Sequence, residues 1–490
     1  MSERVVIKRI PSGVPGLDEV LGGGLPEYSF TLIAGGPGCG KTTLADQILF
    51  ANATPEQPAL HITILGEPPL KMLRYQQQFS FFDVDKVPNA VRFLHLGSTV
   101  LESGLDKVLE QIVEAVEDMG PRMVVVDSFR AMTRKAMEAG QIDLEHFVQR
   151  LSLHLTSWEA TTFLVGEYQE REAEGNPIFT VADGIIWLSQ ATQRNSVVRK
   201  LRVLKMRGQS QLPGLHTMKI LDSGLRVFPR LPSPERADAS SPPDRSVRRK
   251  MGIEAFDAML GGGIPVGYSV MVVGPSGSGK TTLAVQFVRE GIERGEPGVI
   301  AVFEKRPEDY LITAPDGVEL GKLIEQGTLR MLSLRPLDLS VDETMEEIAS
   351  AVRSIGAKRL VVDSLSGFEL ALAPSFREDF RESLYRMVGA LASLGVTVMM
   401  TAELVDSYTE LRLSPPGISF LTDGIILQRY AEMAGHLRRV MVVAKMRGIE
   451  HKSELRLYDI SADGIVMGAA LTDHEHVLTG VPRRITPNEP

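Results

Sequence analysis

Two stretches of the chain repeat one another at a nearly constant spacing, about half its length. Gly13 is matched by Gly252, Asp18 by Asp257, the glycines from Gly22 by those from Gly261, and Lys41 by Lys280, each 239 positions later. Asp127 and Asp363 stand 236 positions apart, while Asp183 and Asp423, like Lys205 and Lys445 in two copies of KMRG, stand 240 apart. Solenoid repeats have periods of roughly 20–50 residues, so a copy this long is a whole domain. The drift of only a few positions means that the copies match from one end to the other with few insertions.

Within each copy, short β-branched runs alternate with longer amphipathic segments: FTLIAG, a helix from Lys41, then MVVVDS and TTFLVGE. That alternation predicts an α/β fold, a mainly parallel sheet flanked by helices. The apolar runs Met123 to Val126 and Leu360 to Val362 suit central strands covered on both faces. Residues 229–247, rich in Pro, Ser and charge, read as a linker between domains 1–228 and 248–468, and residues 469–490 read as an extended tail. With 43% apolar residues over 490 positions there is ample material for two cores. No run reaches the roughly 18 apolar residues of a membrane span, and the N-terminus lacks the apolar centre of a secretory signal, so a cytoplasmic protein is expected. The single cysteine, Cys39, excludes an intrachain disulfide and a thiolate metal site. A net charge of −9 argues against an extensive nucleic-acid face.

The chemistry is concentrated in two loops. Gly35, Gly36, Pro37, Gly38, Cys39, Gly40, Lys41 and Thr42, followed by Thr43, satisfy the Walker A spacing, as do Gly274, Pro275, Ser276, Gly277, Ser278, Gly279, Lys280 and Thr281, followed by Thr282. Each follows a predicted strand and opens a helix, where glycines let backbone N–H groups converge on phosphate oxygens and the helix terminus favours an anion. Lys41 and Lys280 are expected on the outer phosphates of ATP, with Thr42 and Thr281 on Mg²⁺. Asp127 and Asp363 each end an apolar run before a serine, 86 and 83 positions past their lysines, and are expected to serve the same Mg²⁺ ion.

Hydrolysis further requires a carboxylate that orients water, and the strand after the first helix should deliver one. Glu67 in ITILGEPP and Glu304 in IAVFEKRP are the candidates. Matching Pro69 with Pro307 sets Glu304 opposite Gly66 and Glu67 opposite Lys305, so the two sites differ chemically. A surface glutamate in a salt bridge is the alternative for each. Lys205 with Arg207, and Lys445 with Arg447, are cations on late strands suited to neutralising charge on a transferring phosphoryl group. Spacing leaves open whether they act within their own subunit or on a neighbour. Cys39, where the second copy has Ser278, reads as a packing residue, although a helix N-terminus can lower a thiol pKa.

Together these residues resemble the KaiC family of two-lobed RecA-like ATPases, over nearly the whole chain. The resemblance rests on GLDEVLGGGLP and AFDAMLGGGIP, both Walker A loops, Asp127-Ser128 and Asp363-Ser364, LKMRG and AKMRG, and TGVPRRIT. It implies a homohexamer of stacked double rings with ATP at subunit interfaces, and Lys205, Arg207, Lys445 and Arg447 reaching the nucleotide of the adjacent protomer. In the clock autokinases of this family a glutamate pair follows the second core strand, its first member assigned as general base. Glu304 matches that first position, whereas Gly66 replaces it in the first copy, which puts first-lobe hydrolysis in doubt. Those autokinases also carry adjacent Ser and Thr acceptors. Here Ser419 holds the serine position and Phe420 replaces the threonine, so single-site autophosphorylation at Ser419 is the most the resemblance allows.

The leading expectation is an ATP-hydrolysing ring with a regulatory or circadian-type role, regulatory protein partners, and ATP with Mg²⁺ as its ligands. A helicase-like nucleic-acid motor and a nucleotide-gated scaffold with little turnover are the alternatives.

Overall fold

The computed structural model divides the chain into two compact units, Met1–Arg230 and Leu231–Pro490. The structure describes residues 6–63, 69–130, 150–151, 153–154, 159–173, 176–193, 196–230, 244–303, 306–313, 317–334, 340–371, 380–393, 395–404, 421–479 and 482–485.

The first unit is built on a nine-stranded sheet. Its strands are β1 (Phe30–Gly35), β2 (Ala59–Thr63), β3 (Val91–His95), β4 (Met123–Asp127), β5 (Thr161–Glu167), β6 (Gly184–Gln193), β7 (Ser196–Met206), β8 (His216–Leu221) and β9 (Gly224–Phe228). They lie in the order β3-β2-β4-β5-β1-β6-β7-β8-β9. From β3 to β6 neighbours pair in parallel, and from β6 to β9 they pair antiparallel. Helix α1 (Lys41–Asn52) connects β1 to β2, and α2 (Gly97–Met119) connects β3 to β4.

The second unit repeats this plan. Strands β10 (Ser269–Gly274), β11 (Gly298–Val302), β12 (Leu329–Ser333), β13 (Arg359–Asp363), β14 (Thr397–Glu403), β15 (Gly424–Met433), β16 (His436–Met446), β17 (Arg456–Ser461) and β18 (Gly464–Ala470) follow the order β12-β11-β13-β14-β10-β15-β16-β17-β18. Helices α3 (Lys280–Glu293) and α4 (Val341–Ile355) occupy the places of α1 and α2.

The runs that lose polar alternation are the central strands. Val124 to Val126 and Leu360 to Val362 are fully buried, because helices cover both faces of each sheet. In each unit the P-loop strand is central, with β5 or β14 on one side and β6 or β15 on the other. The strand order therefore reverses beside the P-loop, and open α/β sheets bind ligands at the C-terminal ends of their strands beside such a reversal.

The tail is less extended than its composition suggests. His474–Glu475 pairs antiparallel with Arg483–Arg484, and the Arg429 guanidinium donates to Leu478 O at 2.9 Å. Val477 packs with Ala431 and Val440, so apolar burial, invisible to composition, ties the segment to its own unit.

Candidate functional site

The chain leaves β1 at Gly35 and enters α1 at Lys41, and the loop between them turns back on itself through left-handed glycines. Gly40 has φ +94° and its counterpart Gly279 has φ +97°. A Cβ on either would lie 2.8 Å from the Cδ1 of Ile220 or Ile460, respectively. Backbone conformation and close approach thus both exclude a side chain where the N–H groups of the helix start must reach phosphate.

The lysines curl over their loops. Lys41 Nζ donates to Gly36 O at 2.7 Å, and Lys280 Nζ donates to Gly274 O at 2.9 Å and Pro275 O at 2.8 Å. Burial lowers the Lys41 pKa, while the carboxylates of Glu167 and Asp127 act to raise it. Next to each lysine, the Thr42 hydroxyl donates to Asp127 Oδ2 at 2.6 Å, and Thr281 donates to Asp363 Oδ2 at 2.8 Å. Asp127 and Thr42 line one cleft with Lys41; Asp363 and Thr281 line the other with Lys280. A hydroxyl and a carboxylate oxygen in contact beside a phosphate cradle are hard donors that fit Mg²⁺, which takes few protein ligands and completes its shell with phosphate and water. The peptide bonds Asp127-Ser128 and Asp363-Ser364 are both cis.

Burial pushes the Asp127 carboxyl up, against the pull of His61 and of the Thr42 hydrogen bond. His61 on β2 forms an ion pair with Asp46 on α1, Nδ1 to Oδ1 at 2.7 Å, and both side chains are wholly buried. The equivalent positions in the second unit are Val285 and Ile300. Burial alone would lower the His61 pKa, but the Asp46 charge, its hydrogen bond and Asp127 outweigh that, leaving it raised.

Lys205 and Lys445 each flank a β-bulge, opposite Ile185 and Ile425. Lys205 Nζ donates to Thr180 O at 2.9 Å and Lys445 Nζ to Thr422 O at 2.8 Å. Arg207 reaches Asp183 at 3.1 Å and Arg447 reaches Asp423 at 3.8 Å. The two arginines stand at the opposite end of the sheet from their own cradle, while Lys205 and Lys445, level with Leu32 and Met271, donate to carbonyls that precede β6 and β15. Arg207 N–H donates to Asp183 O and Asp183 N–H to Phe30 O, five positions before Gly35 on β1, so about 16 Å of strand separates that level from the P-loop.

The thiol of Cys39 is buried, and that burial pushes its pKa up despite the nearby Lys41. Ser278 instead donates to Gln428 Oε1 at 3.1 Å.

Glu67, Glu304 and Ser419 lie outside the described residues. Two other acids line the clefts. Glu167 ends β5 and Glu403 ends β14, each beside the P-loop strand and each exposed. They stand 236 positions apart, the same offset as Asp127 and Asp363, and that shared offset could have identified them. Ile220 and Ile460, 240 apart, and Phe79 in the first cleft also line these sites and belong to no motif. Among the described residues no group of three or more His, Cys, Asp and Glu side chains forms a separate metal site, and no helix is long and apolar enough to cross a membrane.

The family model described as "ATPase: KaiC" matches residues 10–232 and again 249–471. The chain is 27% identical to the circadian clock oscillator protein KaiC of Parathermosynechococcus lividus, covering 100% of this chain and 91% of that one. It is 26% identical to the protein of that name from Prochlorococcus marinus, over 100% and 98% of the two chains. It is also 26% identical to the circadian clock oscillator protein KaiC 1 of Synechocystis sp., over 99% and 93%. With two matched Walker cradles on two copies of one sheet, and a family match to each copy, this chain belongs to the KaiC family of ATPases.

Proposed function

We propose that the chain is a ring-forming ATPase that holds MgATP at both cradles, each nucleotide lying between neighbouring subunits. The observation that carries the intersubunit part is the position of Lys205, Arg207, Lys445 and Arg447. They lie too far along their own sheets to meet their own nucleotide, while a ring would present them to the next subunit. Lys41 and Lys280 hold the outer phosphates, and Thr42 with Asp127, or Thr281 with Asp363, hold Mg²⁺, which when bound neutralises phosphate charge. Glu304 in the second lobe, and Glu67 if it reaches the same place in the first, orient the attacking water; Glu167 and Glu403 add a second carboxylate to each cleft. The incoming Lys–Arg pairs stabilise charge on the transferring group.

Complementation tests this reading. In a Lys280→Ala background, Lys41→Ala chains and Lys205→Ala/Arg207→Ala chains should each release little phosphate, and mixing them before assembly should restore a fraction of wild-type turnover. No restoration on mixing would contradict action across the interface.

Gly66, where the autokinases carry a glutamate, favours a second reading for the first lobe alone: it binds nucleotide and joins subunits with little turnover. Sizing with MgATP alongside a phosphate-release assay on Lys280→Ala separates the two. A regulatory role with protein partners, in the manner the names of the relatives indicate, and autophosphorylation at Ser419 complete the proposal. Phosphopeptide mass spectrometry after incubation with ATP tests the latter, and an unmodified Ser419 would count against it.

A further inference from the structure

The two aspartates that face the cradles are held differently. Asp127 receives the Thr42 hydroxyl, and its register neighbour on β5 is Val165, which cannot donate. Asp363 receives Thr281 on Oδ2 and, on Oδ1, the hydroxyl of Thr401 on β14, the structural counterpart of Val165. Thr401 is wholly buried. Tyr310, on the helix Pro307–Thr313, is also buried and lies against Asp363. Its phenol carries an O–H that can donate. Matching Pro69 with Pro307 sets Met72 opposite Tyr310, again without a hydroxyl.

The difference matters when a divalent cation arrives. The Thr281 hydroxyl, which donates to Asp363 in this structure, can offer a lone pair to the metal and still donate its proton to the carboxylate, as Thr42 can to Asp127. Asp363 then has Thr401 behind it as a further donor, whereas among the described residues Thr42 is the one hydroxyl that reaches Asp127. Outer groups that hydrogen-bond a metal-ligating carboxylate fix its orientation and raise metal affinity. We propose that Tyr310 and Thr401 are positioning residues that hold Asp363 toward the cation, making the second lobe the tighter divalent-metal site of the two. This rests on the reading of Asp363 as a metal ligand.

Mn²⁺, followed by electron paramagnetic resonance in the presence of a non-hydrolysable ATP analogue, is the probe. The full chain carries Lys41→Ala, so that only the second lobe binds nucleotide. Tyr310→Phe and Thr401→Val should each weaken Mn²⁺ about tenfold, Thr401→Ser should retain it, and analogue affinity in EDTA should stay unchanged in all three. Unchanged Mn²⁺ affinity in the Phe and Val variants would overturn the inference, as would an equal loss of analogue affinity in EDTA, the mark of a merely structural role. Asp363→Asn separates the underlying reading: if it leaves Mn²⁺ binding intact, the metal-ligand assignment itself fails. The Thr401 pair decides the matter should Tyr310→Phe unfold.

Discussion

Single residues distinguish lobes that share a fold. The buried pair of Asp46 and His61 stands where the second unit has Val285 and Ile300, so the molecule supplies its own apolar substitute. Removing one partner strands a buried charge, and Asp46→Ala should cost about 3–5 kcal/mol in chemical denaturation. The double change Asp46→Val/His61→Ile should be neutral or stabilising by about 1–4 kcal/mol, as replacement of buried ion pairs by apolar residues often is. The pH dependence follows from the raised His61 pKa. A raised folded value means that the contribution is complete below the unfolded value of about 6.5 and is lost as pH rises through the folded value. The double variant should therefore lose less stability than wild type over that rise, and identical pH profiles would contradict the assignment. At Gly40 a side chain meets both an unfavourable φ and Ile220, so Gly40→Ala should weaken nucleotide binding at the first cradle.

At the scale of elements, α3 and β13 are joined through a buried arginine. Arg359 is wholly buried, with Nε donating to Glu296 at 2.8 Å and its guanidinium to Phe287 O at 2.6 Å and Lys250 O at 2.7 Å. It also lies 4.7 Å from the centroid of the Phe287 ring. The cation is admitted because α3 has Gly291 there; an added Cβ would sit 2.3 Å from Arg359 Nε. Gly291→Ala should destabilise the second unit by about 1–3 kcal/mol through overpacking, despite alanine's better helix propensity. A gain in stability would contradict this packing.

Elements also show what sequence can and cannot reveal. The P-loops and the aspartate strands are legible because a glycine-rich strand-to-helix turn and a strand-terminal acid each have a fixed local spacing, and the duplication supplies a second instance of each. Glu167 and Glu403 each close an unremarkable apolar strand, and only sheet order brings them beside the P-loop. His61 and Asp46 lie on separate elements, and no local pattern signals that they meet. The tail's pairing depends on a few buried apolar contacts, which composition does not register.

As a whole molecule, the proposed ring has two nucleotide sites per chain, equal in framework and different in metal grip. Assembly should depend on bound nucleotide, so sizing in MgATP should give a larger particle than sizing in EDTA, and no change would contradict a ring held together by nucleotide. The most direct measurement is the binding stoichiometry of a fluorescent, non-hydrolysable ATP analogue with Mg²⁺. Wild type should bind two per chain, Lys41→Ala and Lys280→Ala one each, and the double variant none. A wild-type stoichiometry of one, or a double variant that still binds two, would contradict the claim that both cradles hold MgATP.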